Sequence, residues 1–456
     1  MANQNSKDPT AILVTIQLPK ETEAEIQESL TELERLVTTL GYRTIGTLSQ
    51  ARSSEKSPTV IGEGKLVELA AYTGGTGVVA ATFEKKKTKA AEKFAVKDNP
   101  HPVQNLHDSN PKTEKAKVVI FDRDLSPSQL RNLESAVGVP VLDRTGVIIE
   151  IFNRHAKTRA AKLQIEIAHL NYTAPRMRET GSGQDRGAGG IGAKGVGESK
   201  VELDRRRIRD RIKELKSELA AIQSEQNQRR ERRSEENCVA LVGYTNAGKS
   251  SLMRALTGSD VLVADQLFAT LDTTVRPLVP ETKPKILISD TVGFIKKLPH
   301  DLVASFKTTL DEALNATLLF YVVDAADPSF RSQLKTTKDV LTEVHAENIP
   351  SRLILNKCDK LSEEQKAELK SEFPEALLIS TRNPNDIKSL RESLVEFFER
   401  EMIDEEIFIK HGTEKIMGEI RNTMRVLKEN YENDGVHLRV RSNTETLNRL
   451  KKRFGL

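Results

Sequence analysis

Gly243-Tyr244-Thr245-Asn246-Ala247-Gly248-Lys249-Ser250 decides the fold, because of what flanks it. The apolar run 238–242 suits a buried strand, and Ser251-Leu252-Met253-Arg254-Ala255-Leu256 continues as a helix. The spacing G-x-x-x-x-G-K-[ST] between strand and helix is that of a phosphate-binding loop. Gly243 and Gly248 let the main chain curl so that successive N–H groups, from Tyr244 through Thr245, Asn246 and Ala247, aim at phosphate oxygens. Lys249 places a point charge on the β- and γ-phosphates, and the Ser250 hydroxyl can ligate Mg²⁺. The helix start adds its positive end to the same anion site. A chance glycine turn would match the bare pattern but not its flanks. By itself the loop separates neither ATP from GTP nor an enzyme from a switch.

Downstream, strands and helices alternate to about residue 400, which predicts a doubly wound, mostly parallel sheet with ligands at the carboxyl ends of its strands. After the strand candidate 286–289 comes Asp290-Thr291-Val292-Gly293. In this D-x-x-G element Asp290 can hold Mg²⁺ through water and the Gly293 N–H can report the γ-phosphate. After the strand candidate 353–355 comes Asn356-Lys357-Cys358-Asp359. The Asp359 carboxylate can accept N1–H and the 2-amino group of guanine, which adenine does not offer, so GTP is preferred. Asn356 and Lys357 are expected to buttress the loop and pack on the base. Ser380-Thr381-Arg382 stands where a guanine loop would supply a backbone N–H to O6. Between the phosphate loop and Asp290 lies Phe268-Ala269-Thr270-Leu271-Asp272-Thr273-Thr274. A first switch needs one threonine for Mg²⁺ and the γ-phosphate, and chemistry alone leaves Thr270, Thr273 and Thr274 open. Phe294 follows Gly293 where many GTPases place a water-orienting Gln. Two readings of it stand side by side: slow hydrolysis awaiting a partner's group, or a core residue with the water held elsewhere.

At 456 residues the chain suggests several domains,. Its 37% hydrophobic and 30% charged residues are those of a soluble protein, and no apolar run reaches the roughly 18 residues of a membrane span,. Cys238 and Cys358 are the only cysteines, which excludes a disulfide framework or cysteine zinc site and fits a reducing cytoplasm,. The polar N-terminus lacks a signal-peptide pattern. A monomeric cytoplasmic protein is expected, with no DNA partner and with peripheral membrane association left open.

Upstream, residues 12–16, 44–48, 78–81 and 118–121 read as strands, interleaved with an amphipathic helix over 22–40 and one after Ser126-Pro127. That alternation argues for an N-terminal α/β domain over 1–153. Residues 84–117 interrupt it with a lysine-rich stretch, read as a solvated insertion. The apolar series Ala156, Ala160, Leu163, Ile167, Leu170 and Ile208, Ile212, Leu215, Leu219, Ile222 predict an antiparallel helical hairpin over 154–235. Its tip, 181–197, holds eight glycines. From 154 to 213 there are 15 Lys or Arg against 7 Asp or Glu, a surplus built to meet a polyanion such as RNA,. Arg186, Lys194, Lys200 and Arg205-Arg206-Arg207 are the expected phosphate contacts. A GTPase domain over 236–400 and a small C-terminal α/β domain over 401–456, with an edge strand at 436–440, complete the expected organisation.

With these residues in hand the chain resembles the HflX family of translation-factor-class GTPases. The ordered motifs carrying the resemblance include Ile61-Gly62-Glu63-Gly64-Lys65, Leu142-Asp143-Arg144-Thr145-Gly146, Gly189-Gly190-Ile191-Gly192, Asp204-Arg205-Arg206-Arg207-Ile208 and Leu267-Phe268-Ala269-Thr270-Leu271-Asp272. The resemblance implies a GTP-hydrolysing factor that binds the large ribosomal subunit and its RNA, splits stalled or stressed ribosomes, and has its GTPase stimulated by them. It also implies that Thr270 is the switch threonine, with Ser250 its partner on Mg²⁺. Asp272-Thr273-Thr274-Val275-Arg276 and Ser380-Thr381-Arg382 depart from the family's usual Asp-Pro-Thr-Thr-Arg and Ser-Ala-Lys. The alternative reading is a non-catalytic GTP-dependent RNA-binding or ribosome-assembly factor. A P-loop ATPase or kinase is disfavoured by Asn356 and Asp359.

Overall fold

The computed structural model describes residues 8–79, 114–177, 200–231, 237–259, 267–268, 270–271, 273–283, 285–297, 314–400, 402–410, 414–432 and 434–454. The glycine-rich tip, most of the lysine-rich insertion, Ala269 and Asp272 lie outside them. The chain divides into two compact units, one of residues 1–151 with 175–177 and one of the remainder.

In the first unit, β1 (Thr10–Gln17), β2 (Arg43–Ala51), β3 (Val118–Phe121) and β4 (Val141–Asp143) form a parallel sheet of order β2-β1-β3-β4. The central β1 is buried along nearly its whole length, as a parallel strand covered on both faces must be,. Helix α1 (Glu23–Thr39) starts at a capping box in which Thr22 and Glu25 satisfy each other's backbone donors,. Helix α2 (Glu63–Thr73) starts at Gly62. Helix α3 (Pro127–Val137) begins with Ser126 as cap and Pro127 in the first turn,. The strand expected at 78–81 does not form at Val78 and Val79. Val78 is 65% exposed and lies beyond the αL Gly74 that ends α2.

Helix α4 (Arg144–His155) opens with a buried cation. The Arg144 guanidinium donates to Asp122 Oδ1 at 2.6 Å and also pairs with Glu32, while Ser29 donates to Asp122 Oδ2 at 2.6 Å. Arg144 and Asp122 are each 1% exposed. Removing one partner of a buried pair strands the other charge, so Arg144→Met is expected to destabilise this unit by about 3–5 kcal/mol. Denaturant unfolding of the variant checks this; a loss below about 1 kcal/mol would mean that the carboxylates find other partners.

In the second unit, α5 (Arg159–Thr173) and α6 (Lys200–Glu231) make the hairpin. Leu163, Ile167 and Leu170 pack against Ile212, Leu215, Leu219 and Ile222. Ion pairs Arg159–Glu218 and Arg211–Glu166 rise along one helix as they fall along the other, so the two run antiparallel. Ala156 lies between α4 and α5 rather than on the hairpin, because the Thr158 cap starts a new helix there.

Strands β5 (Asn237–Val242), β6 (Thr274–Pro277), β7 (Ile286–Asp290), β8 (Leu318–Asp324), β9 (Ser351–Asn356) and β10 (Leu377–Leu378) follow, ordered β10-β9-β8-β5-β7-β6. Only the edge strand β6 is antiparallel to its neighbour. Helices α7 (Lys249–Thr257), α8 (Phe330–Glu343), α9 (Glu363–Glu372) and α10 (Pro384–Glu399) connect them. Leu241, Leu252, Ile288, Phe320, Ile354 and Leu390 share one core, each fully buried side chain of this size contributing roughly 1.5–3 kcal/mol,. The order puts the loops after β5, β7, β8 and β9 along one edge of the sheet.

The last segment builds an antiparallel sheet of order β11-β13-β12 from β11 (Ile403–Lys410), β12 (Arg425–Tyr431) and β13 (Gly435–Ser442), with α11 (Glu414–Thr423) and α12 (Thr444–Phe454). Residues 436–440, expected at an edge, lie on the central strand instead. Val436, Leu438 and Val440 face the helices with Ile407, Ile409, Ile420 and Leu447, and the two strands that flank them are too polar to stand out as sequence.

Candidate nucleotide site

The loop 243–250 is held by contacts that dictate its glycines. A Cβ on Gly243 would lie 2.1 Å from the Val322 carbonyl oxygen, and one on Gly248 2.2 Å from Asn356 Nδ2. Gly248 also has φ +95° and Asn246 φ +61°, giving the main chain its concave turn,. Asn356 Nδ2 donates to the Ala247 carbonyl at 2.9 Å, and Lys357 Nζ donates to the Asn246 carbonyl at 2.8 Å. Asp324 at the end of β8 fixes Lys357 with a 2.7 Å ion pair. The base-recognition motif and the phosphate loop are therefore one hydrogen-bonded assembly.

Lys249 is buried and donates to the carbonyls of Gly243 and Tyr244 at 3.0 and 2.9 Å. Burial lowers its pKa from 10.5 to about 8, the Asp290 charge opposing,. Asp290 is fully buried at the end of β7, and that burial raises its carboxyl while Lys249 pulls it down. Ser250 Oγ donates to Asp290 Oδ2 at 2.7 Å and lies 2.7 Å from Thr270 Oγ1. Of the three candidate threonines, Thr270 is thus the one brought to Ser250. Asp290 Oδ1 is buried without a hydrogen-bond partner among the described residues.

The D-x-x-G stretch lies against the phosphate loop. Thr291 donates to the Leu241 carbonyl at 2.7 Å, Val292 is 7% exposed, and a Cβ on Gly293 would lie 3.0 Å from Lys249 Nζ. Phe294 is buried, and its main chain bridges to the loop: its N–H donates to Gly243 O at 3.1 Å and its carbonyl accepts from Thr245 N at 2.8 Å. The Tyr244 hydroxyl accepts from Lys296 N at 2.6 Å. The benzyl group of Phe294 is interior, the core-residue reading of that position.

Asp359 is exposed, with Oδ1 accepting from Ser380 Oγ at 2.6 Å, a bond that lowers its pKa. Cys358 N–H donates to the Ile379 carbonyl, and burial raises its thiol. Ser380 N–H donates to Asp386 and Arg382 N–H to Ser380 Oγ. Of the backbone donors in 380–382, where one was expected to reach O6, Thr381 N–H meets Asn356 Oδ1 at a long 3.3 Å. Phe268 and Leu271 are buried, and the Phe268 ring lies against Phe152 rather than in the loop's concavity. Asp324, Asp386 and Phe152 had no motif to announce them. The two carboxylates are visible only once the strand ends converge.

Hard oxygen ligands suit Mg²⁺, which takes one or two protein oxygens and shares phosphates rather than filling an all-carboxylate cage. Two converging hydroxyls beside a buried carboxylate with one unpartnered oxygen fit that ion. Among the described residues no cluster of three His, Cys, Asp or Glu side chains offers another metal centre, and no helix is long and apolar enough to cross a membrane.

Family models for the N-terminal region of GTP-binding GTPases, their middle region, and a "50S ribosome-binding GTPase" match residues 27–153, 155–233 and 238–357 respectively, the first in two overlapping segments. The chain is 52% identical over 445 residues to the GTPase HflX of Gluconacetobacter diazotrophicus, covering 97% of each chain. It is 35% identical to the GTPase HflX of Escherichia coli, covering 94% of this chain and 93% of that one. Against the GTPase HflX of Caldanaerobacter subterraneus it is 34% identical, covering 94% and 90%. A preformed phosphate loop tied to a guanine-type motif, and full-length likeness to these GTPases, lead to one conclusion: the chain belongs to the HflX family and is a GTPase that binds and hydrolyses GTP.

Proposed function

We propose that this GTPase acts on ribosomes: it binds the large subunit and its RNA, splits stalled or stressed ribosomes, and is stimulated by them in turn. The observation that carries the reading is the hairpin. Helix α6 has 32 residues and so extends about 48 Å,. Arg205, Arg206 and Arg207 lie on its first half, and a surplus of eight positive charges falls between residues 154 and 213. A long basic projection suits a polyanion whose site is deep, since phosphate contacts dominate such affinity.

In the site, Lys249 holds the β- and γ-phosphates, Gly293 N–H faces the γ-phosphate, and Asp359 reads guanine. Thr381 N–H exchanges its long contact with Asn356 for O6. Ser250 and Thr270 would hold Mg²⁺, with Asp290 behind them through water. The ion, when bound, neutralises charge on the transferred phosphoryl group. Closing Thr270 and Gly293 over GTP favours one conformation of the protein, and a ribosome that prefers that conformation shifts the same equilibrium.

Two measurements test this. GTP turnover is compared with and without large subunits, and light scattering follows dissociation of whole ribosomes. Stimulated turnover without dissociation would favour an assembly factor instead. Deleting residues 181–197 is expected to abolish splitting while nucleotide affinity stays within about twofold of the parent. Normal splitting by the deletion would remove the tip from the mechanism.

A further inference from the structure

Phe268 is held unusually firmly for a residue of a first switch. Its φ of +59° is left-handed, a region disfavoured for a bulky L-residue, so the surrounding structure must impose it,. Its ring is 2% exposed and meets the buried Phe152 edge-on, with centroids 4.5 Å apart and planes at 71°. The side chain of Phe268 is thus gripped from the last turn of α4, just before the hairpin begins. Two residues further on, the Thr270 hydroxyl stands 2.7 Å from Ser250 Oγ.

We infer that Phe152 is a positioning residue for GTP hydrolysis, gripping Phe268 so that Thr270 stays turned toward Ser250. It acts through the switch, and the inference rests on the reading of Thr270 as the residue for Mg²⁺ and the γ-phosphate. Loosening the grip lets the switch open, which weakens contacts made to GTP and in the transition state. GDP has no γ-phosphate for Thr270 to meet, so its affinity is insensitive to the grip. A residue that merely filled the core would disturb both nucleotides alike.

The experiment uses the full chain with Phe152→Leu, Phe268→Leu and the double substitution, which keep apolar volume but remove the ring pair. Steady-state kcat and KM for GTP, the Kd of fluorescent GDP and thermal unfolding are measured for each, with Thr270→Ala alongside. Each Leu variant is expected to lose about five- to tenfold in kcat/KM for GTP, the scale of one aromatic pair, with GDP affinity within about twofold. The double variant should be little worse than either single one, since one contact is removed in all three. The inference is overturned if the Leu variants keep parental kcat/KM, or lose GTP and GDP binding equally. If Thr270→Ala keeps parental turnover, the underlying reading of Thr270 fails, and the inference with it. If Thr270→Ala abolishes turnover while the Leu variants match the parent, only the grip from α4 is refuted.

Discussion

Asp359→Asn is expected to lower GTP affinity by about 10⁴-fold and to create affinity for xanthosine triphosphate. On the proposed reading the carboxylate accepts two hydrogens, from N1 and the 2-amino group of guanine. An amide accepts only one, and its own NH₂ then points at the 2-amino group with no acceptor between them. Sites built to pair with a substrate's polar groups reject a mismatch this strongly because a covered donor is left unpaired. Xanthine carries a carbonyl at position 2, which the new NH₂ can meet. The fold should be untouched, because Asp359 is exposed and its one side-chain partner, Ser380 Oγ, can donate to an amide oxygen as well. Competition of both triphosphates against fluorescent GDP checks it. Unchanged GTP affinity would remove Asp359 from base recognition.

The second large effect is on pH. Lys249 titrates at about 8 in the folded protein, against 10.5 for the free side chain. Phosphates placed against it raise that pKa again, so nucleotide binds the charged form. Below about pH 8 the lysine is already charged and affinity is flat; above it each pH unit is expected to cost about tenfold in affinity, until the pKa of the complex is reached. At pH 9 binding should take up about 0.9 proton, read by calorimetry in buffers of different ionisation heat. Stability of the nucleotide-free protein moves the opposite way. Between about 8 and 10.5 the unfolded chain binds more protons than the folded one, so the nucleotide-free protein gains stability as pH rises through that window,. Affinity constant from pH 7 to 10 would show that Lys249 is charged before nucleotide arrives.

The parts legible in sequence were those set by local chemistry. The strand before Gly243, the helix after it and the capping boxes at Thr22 and Ser126 each follow from a few adjacent residues. Asp290 and Asn356 were placed because functional residues gather at the carboxyl ends of parallel strands. What escaped depends on convergence. The need for glycine at 248 comes from Asn356, over a hundred residues away, as well as from backbone angle. The role of Phe152 was hidden in the stretch 147–152, apolar but for Glu150, where nothing distinguishes a core residue from one that grips a switch. The strand at 436–440 was found, but its central place depended on partners too polar to read as strands.

The cross-braced hairpin has a mechanical consequence. Arg159–Glu218 and Arg211–Glu166 act as rungs between the two helices, and the Leu163, Ile167 and Leu215 seam stops them sliding. Such a strut does not bend easily, so it converts angle into distance. A tilt of about 10° at its base would sweep the far end of a 48 Å arm through about 8 Å, more than the length of one helical turn. On the proposed reading, a modest rotation at the base of the arm would be read out as a displacement of several ångströms at its far end.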